Sequence, residues 1–86
     1  MSRRSRLDIY FHILEVINRG IHTPTMITYE TNLSGDEEGN VFDALTRSSF
    51  IREEKKNNSV RYYLTKKGRN ALSYYVKALE SLSKVK

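Results

Sequence analysis

No cysteine occurs in these 86 residues, so no disulfide staples the fold and no thiolate holds a metal. Histidine is scarce as well. His12 and His22 stand without an HExxH or paired spacing, and surface or packing roles fit them better than metal ligation. There is no Gly-rich phosphate loop and no nucleophile motif, which leaves an enzymatic reading without support and calls for no cofactor. No apolar run is long enough to span a bilayer. The opening stretch begins basic but meets Asp8 and His12 before any such run, so it does not read as a signal peptide. No repeat, linker or low-complexity segment divides residues 1–86, whose length suits one small domain. So small a domain buries a modest share of its surface, which makes dimerisation a plausible source of added stability.

Charge is present in quantity and is unevenly placed. The net charge is +5 and the sequence pI about 9.6. Residues 1–20 carry +2, residues 21–50 carry −4 and residues 51–86 carry +7. Basic ends of this kind suit a polyanion, most simply nucleic acid. The acidic middle, with Glu30, Asp36, Glu37, Glu38 and Asp43 against Arg47, runs the other way.

The same middle holds the most informative pattern. Thr23 is a candidate cap, Pro24 suits the first helical position, and Ile27 and Thr31 share a face. Asn32-Leu33-Ser34 interrupts the helix. Ser34-Gly35-Asp36-Glu37 then reads as a capping box for a second helix, whose apolar stripe is Val41, Phe42 and Leu45. Asp36 and Glu37 suit the positive end of that helix, whereas Glu38 and Gly39 weaken its first turns. Its outward face carries Asp36, Gly39, Asn40, Asp43 and Arg47. Asn40 could read adenine, and Arg47 guanine or phosphate.

Before this pair, a helix over about 5–19 presents Tyr10, Ile13, Leu14 and Ile17, widened by Ile9 and Val16, and closes at Gly20. Leu7 and Phe11 form a second stripe, read as a dimer contact or as packing on the last helix. After the pair, strands over about 51–56 and 60–64 flank the turn residues Asn57-Asn58-Ser59. Val60, Tyr62 and Leu64 face the core; Arg61 and Tyr63 take the other face. Thr65 caps a last helix over about 66–83, where Leu72, Tyr75, Val76, Leu79 and Leu82 make a seam suited to a second copy. With helices at about 24–31 and 35–48, the order is that of a winged helix-turn-helix: mainly α, with a small β-hairpin as the wing.

The stretch from GIHTPTMITYETNLS through Phe50-Ile51 to YYLTKKGRNAL resembles the small archaeal winged-helix DNA-binding proteins: crenarchaeal chromosomal proteins and viral or plasmid regulators. The marks are Pro24-Thr25, Ile27, Tyr29, Asn32-Leu33-Ser34, and Tyr62 followed by Leu64-Thr65-Lys66-Lys67-Gly68. The resemblance covers nearly the whole chain. It implies a homodimer joined through the terminal helix, with recognition helices and wings facing DNA. The chain departs from the family's pattern at Glu38, where leucine is usual, and at Ser49, where glycine is favoured.

The expected function is therefore duplex DNA binding by a cytoplasmic, nucleoid-associated homodimer acting as a transcriptional regulator. The expected contacts are the basic arm 1–5 with Arg3 and Arg4, then Arg6, Thr25, Tyr29, Asn40 and Arg47. They continue through Lys55, Lys56, Asn57, Asn58 and Arg61 of the wing to Lys66 and Lys67. The plainer readings are a solubilising arm and a hairpin whose charges deter edge aggregation. The alternative function is a protein-interaction module that uses the acidic second helix.

Overall fold

The computed structural model describes residues 5–33 and 35–83, with only the backbone described for 35–38. The order is α1 (Arg6–Asn18), α2 (Pro24–Thr31), α3 (Gly35–Arg47), β1 (Ile51–Lys56), β2 (Ser59–Leu64) and α4 (Lys66–Ser83). These elements are the ones expected. β2 starts one residue earlier than its pattern implied, because a Lys56–Ser59 pair closes the antiparallel ladder against a two-residue turn. Ser34 and the Glu37 side chain, the proposed capping box, lie outside the described residues, as do Arg3, Arg4 and the side chains of Asp36 and Glu38.

Capping chemistry differs from expectation at two starts. Ser5 and Asp8 form a capping box for α1: the Asp8 amide donates to Ser5 Oγ at 3.0 Å and the Ser5 amide to Asp8 Oδ2 at 3.3 Å. At α2, Thr23 makes no side-chain cap; Pro24 holds the first position, where its missing amide leaves no intrahelical bond unmade.

The first three helices stop in the same way. A residue one or two positions past each takes a left-handed conformation: Gly20 at φ 102°, Asn32 at 56° and Ser49 at 65°. The following amide then reaches back to a carbonyl five residues earlier: Ile21 to Val16, Leu33 to Thr28 and Phe50 to Leu45. This is the Schellman closure, and in each case the next side chain is apolar and packs on the core. Ser49 accounts for the family's glycine at this position, since a left-handed residue with a Cβ costs about 1 kcal/mol. Ser49→Gly is expected to raise the melting temperature by a few degrees, measured by calorimetry.

The core gathers on α1. Ile9, Ile13, Leu14, Val16 and Ile17 are buried against Ile27 of α2, Val41, Phe42 and Leu45 of α3, and Ile51, Tyr62 and Leu64 of the hairpin. The second stripe of α1 is partly used within the chain. Phe11 stacks on Tyr75 of α4, with centroids 4.1 Å apart and planes within 5°. Leu72, 7% exposed, also belongs to this core. Leu7, Val76, Leu79 and Leu82 remain outside it, all exposed.

The start of α4 clamps the turn between α3 and β1. The Thr65 amide donates to the Phe50 carbonyl at 3.1 Å, and its hydroxyl donates to the Ser49 carbonyl. The same Thr65 oxygen accepts from the Gly68 amide at 3.0 Å and so caps α4. Two of the cations crowded here, Lys67 and Arg69, unfavourable for α4 itself, have partners at neighbouring carbonyls. Lys67 Nζ donates to the Ser48 carbonyl at 2.8 Å, beside the negative end of α3, and lies 4.8 Å from the Phe50 ring centroid. Arg69 donates to the Leu64 carbonyl at 3.3 Å. No described helix is long and apolar enough to cross a membrane.

Candidate nucleic-acid interface

The hairpin turns through Asn57 and Asn58, both left-handed at φ 52° and 66°, the geometry of a type I′ turn. Asparagine tolerates that region, and the turn's twist matches that of the strands. The ladder pairs Arg52 with Tyr63, Glu53 with Tyr62, Glu54 with Arg61 and Lys55 with Val60.

This register sorts the wing's charges. Lys55 and Glu53 share a face with Val60 and Tyr62, the face that packs toward α3; Arg52, Glu54, Lys56, Arg61 and Tyr63 lie on the other. The cations expected as one group at the tip are thus divided between two sides of a thin ribbon. An open cleft of about 520 Å³ separates the hairpin from the helix pair, lined by Gly39, Phe42, Asp43 and Thr46 of α3 and by Glu53, Val60 and Tyr62 of the wing, with Pro24 of α2.

The outward face of α3 is less cationic than its sequence suggests. Arg47 is bound to Asp43, one turn earlier, at 2.8 Å. Asn40 is exposed, a turn nearer the start of the helix. Arg19 pairs with Glu30 at 3.8 Å, and Arg52 pairs with Glu54. Lys55, Lys56 and Arg61, all exposed, make no ion pair or hydrogen bond with another described residue. Lys66 is exposed at the wing's base, at the far end of the ladder from Lys55 and Lys56.

The remaining expected contacts are scattered. Thr25 and Tyr29 lie on α2, with Tyr29 76% exposed. Arg6 begins α1, roughly 20 Å from the wing end of that helix at 1.5 Å per residue. Tyr63, expected to be exposed, is half-buried, with the His22 ring 4.3 Å and the Arg52 guanidinium 4.8 Å from its ring centroid. Sequence reasoning missed the joint behind this face. Tyr62 stacks on Phe42 of α3, with centroids at 4.6 Å and planes 3° apart, and its hydroxyl reaches Glu53 at 3.4 Å. Nothing in the pattern of either aromatic distinguishes this pairing from ordinary core packing.

A helix pair closed by a shared core, followed by a clamped hairpin, defines the class. The chain belongs to the winged helix-turn-helix family, whose pattern it matches over residues 3–83. Its backbone is similar to that of Sso10a-2, a DNA-binding protein from Sulfolobus solfataricus, with a TM-score of 0.73 and 21% identity over 93% of this chain and 86% of that one. It is also similar to F93 from STIV, a winged-helix DNA-binding protein, with a TM-score of 0.74 and 16% identity over 93% of this chain and 95% of that one. A variant of ZitR from Lactococcus lactis gives a TM-score of 0.75 and 19% identity over 94% of this chain and 59% of ZitR. At these identities the likeness is one of fold. No curated protein matches the chain in sequence.

Proposed function

We propose that this protein binds double-stranded DNA as a homodimer and acts as a transcriptional regulator, with the wing supplying most of the binding energy. The observation that carries this reading is the set of exposed wing cations, Lys55, Lys56 and Arg61, which have no partner among the described residues. Other described arginines and lysines are largely engaged by carboxylates or carbonyls within the chain. Unpaired ammonium and guanidinium groups on a protruding ribbon suit phosphate oxygens, and each phosphate neutralised steepens the logarithmic salt dependence by about 0.9. Asn40 is the base-reading residue of α3, and Arg47, exposed in a weak surface pair with Asp43, exchanges that carboxylate for phosphate. The proteins of similar fold that bind DNA support the assignment. An anisotropy titration of a random duplex over a range of salt concentrations tests it; no binding at low salt would refute it.

The dimer uses what α4 leaves uncovered. Beyond Leu72 every described α4 residue except Tyr75 is exposed, and Val76, Leu79 and Leu82 with Leu7 of α1 form an apolar surface for a second copy. Phe11, Tyr75 and Leu72 support this surface from within the chain rather than cross it. Changing Leu79 and Leu82 together to aspartate is expected to halve the solution mass measured by light scattering, with the helical circular dichroism of the domain retained.

One observation favours a protein partner instead. Asp43 and Glu53 stand on opposite walls of the cleft between α3 and the wing, where a phosphate chain would be repelled. A basic peptide that competes with duplex and requires these two carboxylates would establish that reading.

A further inference from the structure

Besides its core contacts, the hairpin is tied to the α1–α2 connection by a reciprocal pair of hydrogen bonds between His22 and Tyr62. The Tyr62 amide donates to the His22 main-chain carbonyl at 2.8 Å. In return the His22 ring, through Nδ1, meets the Tyr62 carbonyl at 2.8 Å. A carbonyl only accepts, so Nδ1 carries the proton. One residue of the α1–α2 connection thus satisfies both main-chain groups of Tyr62 on the outer edge of β2, one with its backbone and the other with its side chain. The same ring stacks on Tyr63, whose ring also takes the Arg52 guanidinium of β1. His22 therefore touches β2 twice and reaches β1 through Tyr63. Its own place is set by the closure at Gly20 and Ile21 that ends α1.

Tyr62 is the other half of the joint. Its ring lies flat on Phe42 of α3 and its hydroxyl approaches Glu53 of β1. A change in how β2 is held at Tyr62 therefore changes the angle between α3 and the wing. A two-stranded hairpin is marginal by itself and takes its orientation from what it docks on.

We propose that His22 is a positioning residue for the wing, fixing the hairpin's angle to α3 so that the wing cations and α3 meet one duplex together. This rests on the duplex-binding reading above. His22 itself, half-buried between α1 and the hairpin, acts through Tyr62 and Tyr63 rather than by touching phosphate.

Three variants separate the contributions. His22→Asn keeps an amide donor near the Nδ1 position and loses the ring. His22→Phe keeps a ring for Tyr63 and loses the donor. His22→Ala loses both. A random-sequence duplex is titrated by anisotropy at several salt concentrations, and amide exchange at Val60 and Tyr62 is followed by NMR without DNA. His22→Ala is expected to lower affinity at least fivefold and to make the salt slope shallower by about 0.9 for each phosphate the wing no longer reaches. Exchange at Tyr62 should quicken in the same variant. His22→Asn is expected to recover affinity to within about twofold of wild type, with His22→Phe falling between. Ile13→Val, a core change that removes no atom of the His22–Tyr62 hydrogen bonds, lowers stability without moving the slope, which separates positioning from a general loss of structure. Wild-type affinity and slope in His22→Ala would overturn the proposal, as would equal losses in His22→Ala and Ile13→Val. If His22→Ala does not fold, His22→Phe, which lacks the donor, decides by the same criteria, with His22→Asn as the rescue. A wild-type protein that fails to bind duplex would overturn the DNA-binding reading and this proposal with it. Wild-type binding with an unaffected His22→Ala would overturn this proposal alone.

Discussion

With Lys55, Lys56 and Arg61 all replaced by alanine, duplex affinity is expected to fall roughly 500-fold at about 0.1 M salt, and the salt slope to become shallower by about 2.7. The figure follows from three phosphate contacts, each contributing ~0.9 to the logarithmic slope, in a term that fades as salt approaches about 1 M. All three side chains are exposed and none pairs with another described residue, so their removal breaks no ion pair or hydrogen bond within the described fold. The ladder between β1 and β2 is made by the backbone, and the turn depends on Asn57 and Asn58. Stability should therefore stay within about 0.5 kcal/mol of wild type, as for most surface changes. Calorimetry and a salt-resolved anisotropy titration together check both halves. An unchanged slope would show that the wing does not contact phosphate. Should biological function survive the triple change while Asp43 and Glu53 prove essential, the partner is a protein.

The largest effect on folding is expected from Gly68→Ala. A helix interior usually gains up to about 1 kcal/mol from such a change. Here the added Cβ would stand 2.0 Å from the Phe50 carbonyl oxygen and 3.0 Å from its carbon. Both are main-chain atoms, so no rotamer relieves the overlap. That carbonyl also accepts the Thr65 amide, and Thr65 holds the neighbouring Ser49 carbonyl. Moving either segment by an ångström therefore breaks the clamp as well. Overpacking of this kind costs about 1–3 kcal/mol, and each broken hydrogen bond adds about 1 kcal/mol. The expected loss is roughly 3–5 kcal/mol, a large part of what a domain of this size possesses. The melting temperature should drop by about 15–25 °C, or the cooperative transition should vanish. Gly39→Ala is the matched control. Nothing lies within 4 Å of the position of its Cβ, so the ordinary helix propensity applies and a small gain is expected. A stabilised Gly68→Ala would mean that α4 does not sit on the α3–β1 turn as described.

Much of this fold is local, and local structure is legible. Apolar residues at helical spacing on α1, the Pro24 start, the Asn57-Asn58 turn and the alternation of Val60, Tyr62 and Leu64 depend on near neighbours in the chain. Each yielded its element to within a residue or two. The departure at Ser49 was visible in the sequence, but its left-handed backbone was shown only by the structure. Legibility ended where two chemically similar residues had different distant partners. Arg47 and Arg61 look alike in sequence, yet one is closed on Asp43 and the other has no ion-pair partner among the described residues. Lys67 looked like a phosphate ligand and holds a carbonyl at the end of α3.

The amino-acid order by itself determined the elements, their sequence, the family and the basic character of the chain's ends, because periodicity, caps and turn residues act over a few positions. Only the tertiary structure decided which cations stay available, that Phe11 covers Tyr75 of its own chain, and that His22 meets Tyr62 from forty residues away. Those outcomes depend on where separate elements come to rest against one core. Burial and pairing across such separations are set by the packed whole, and no short window of sequence contains them.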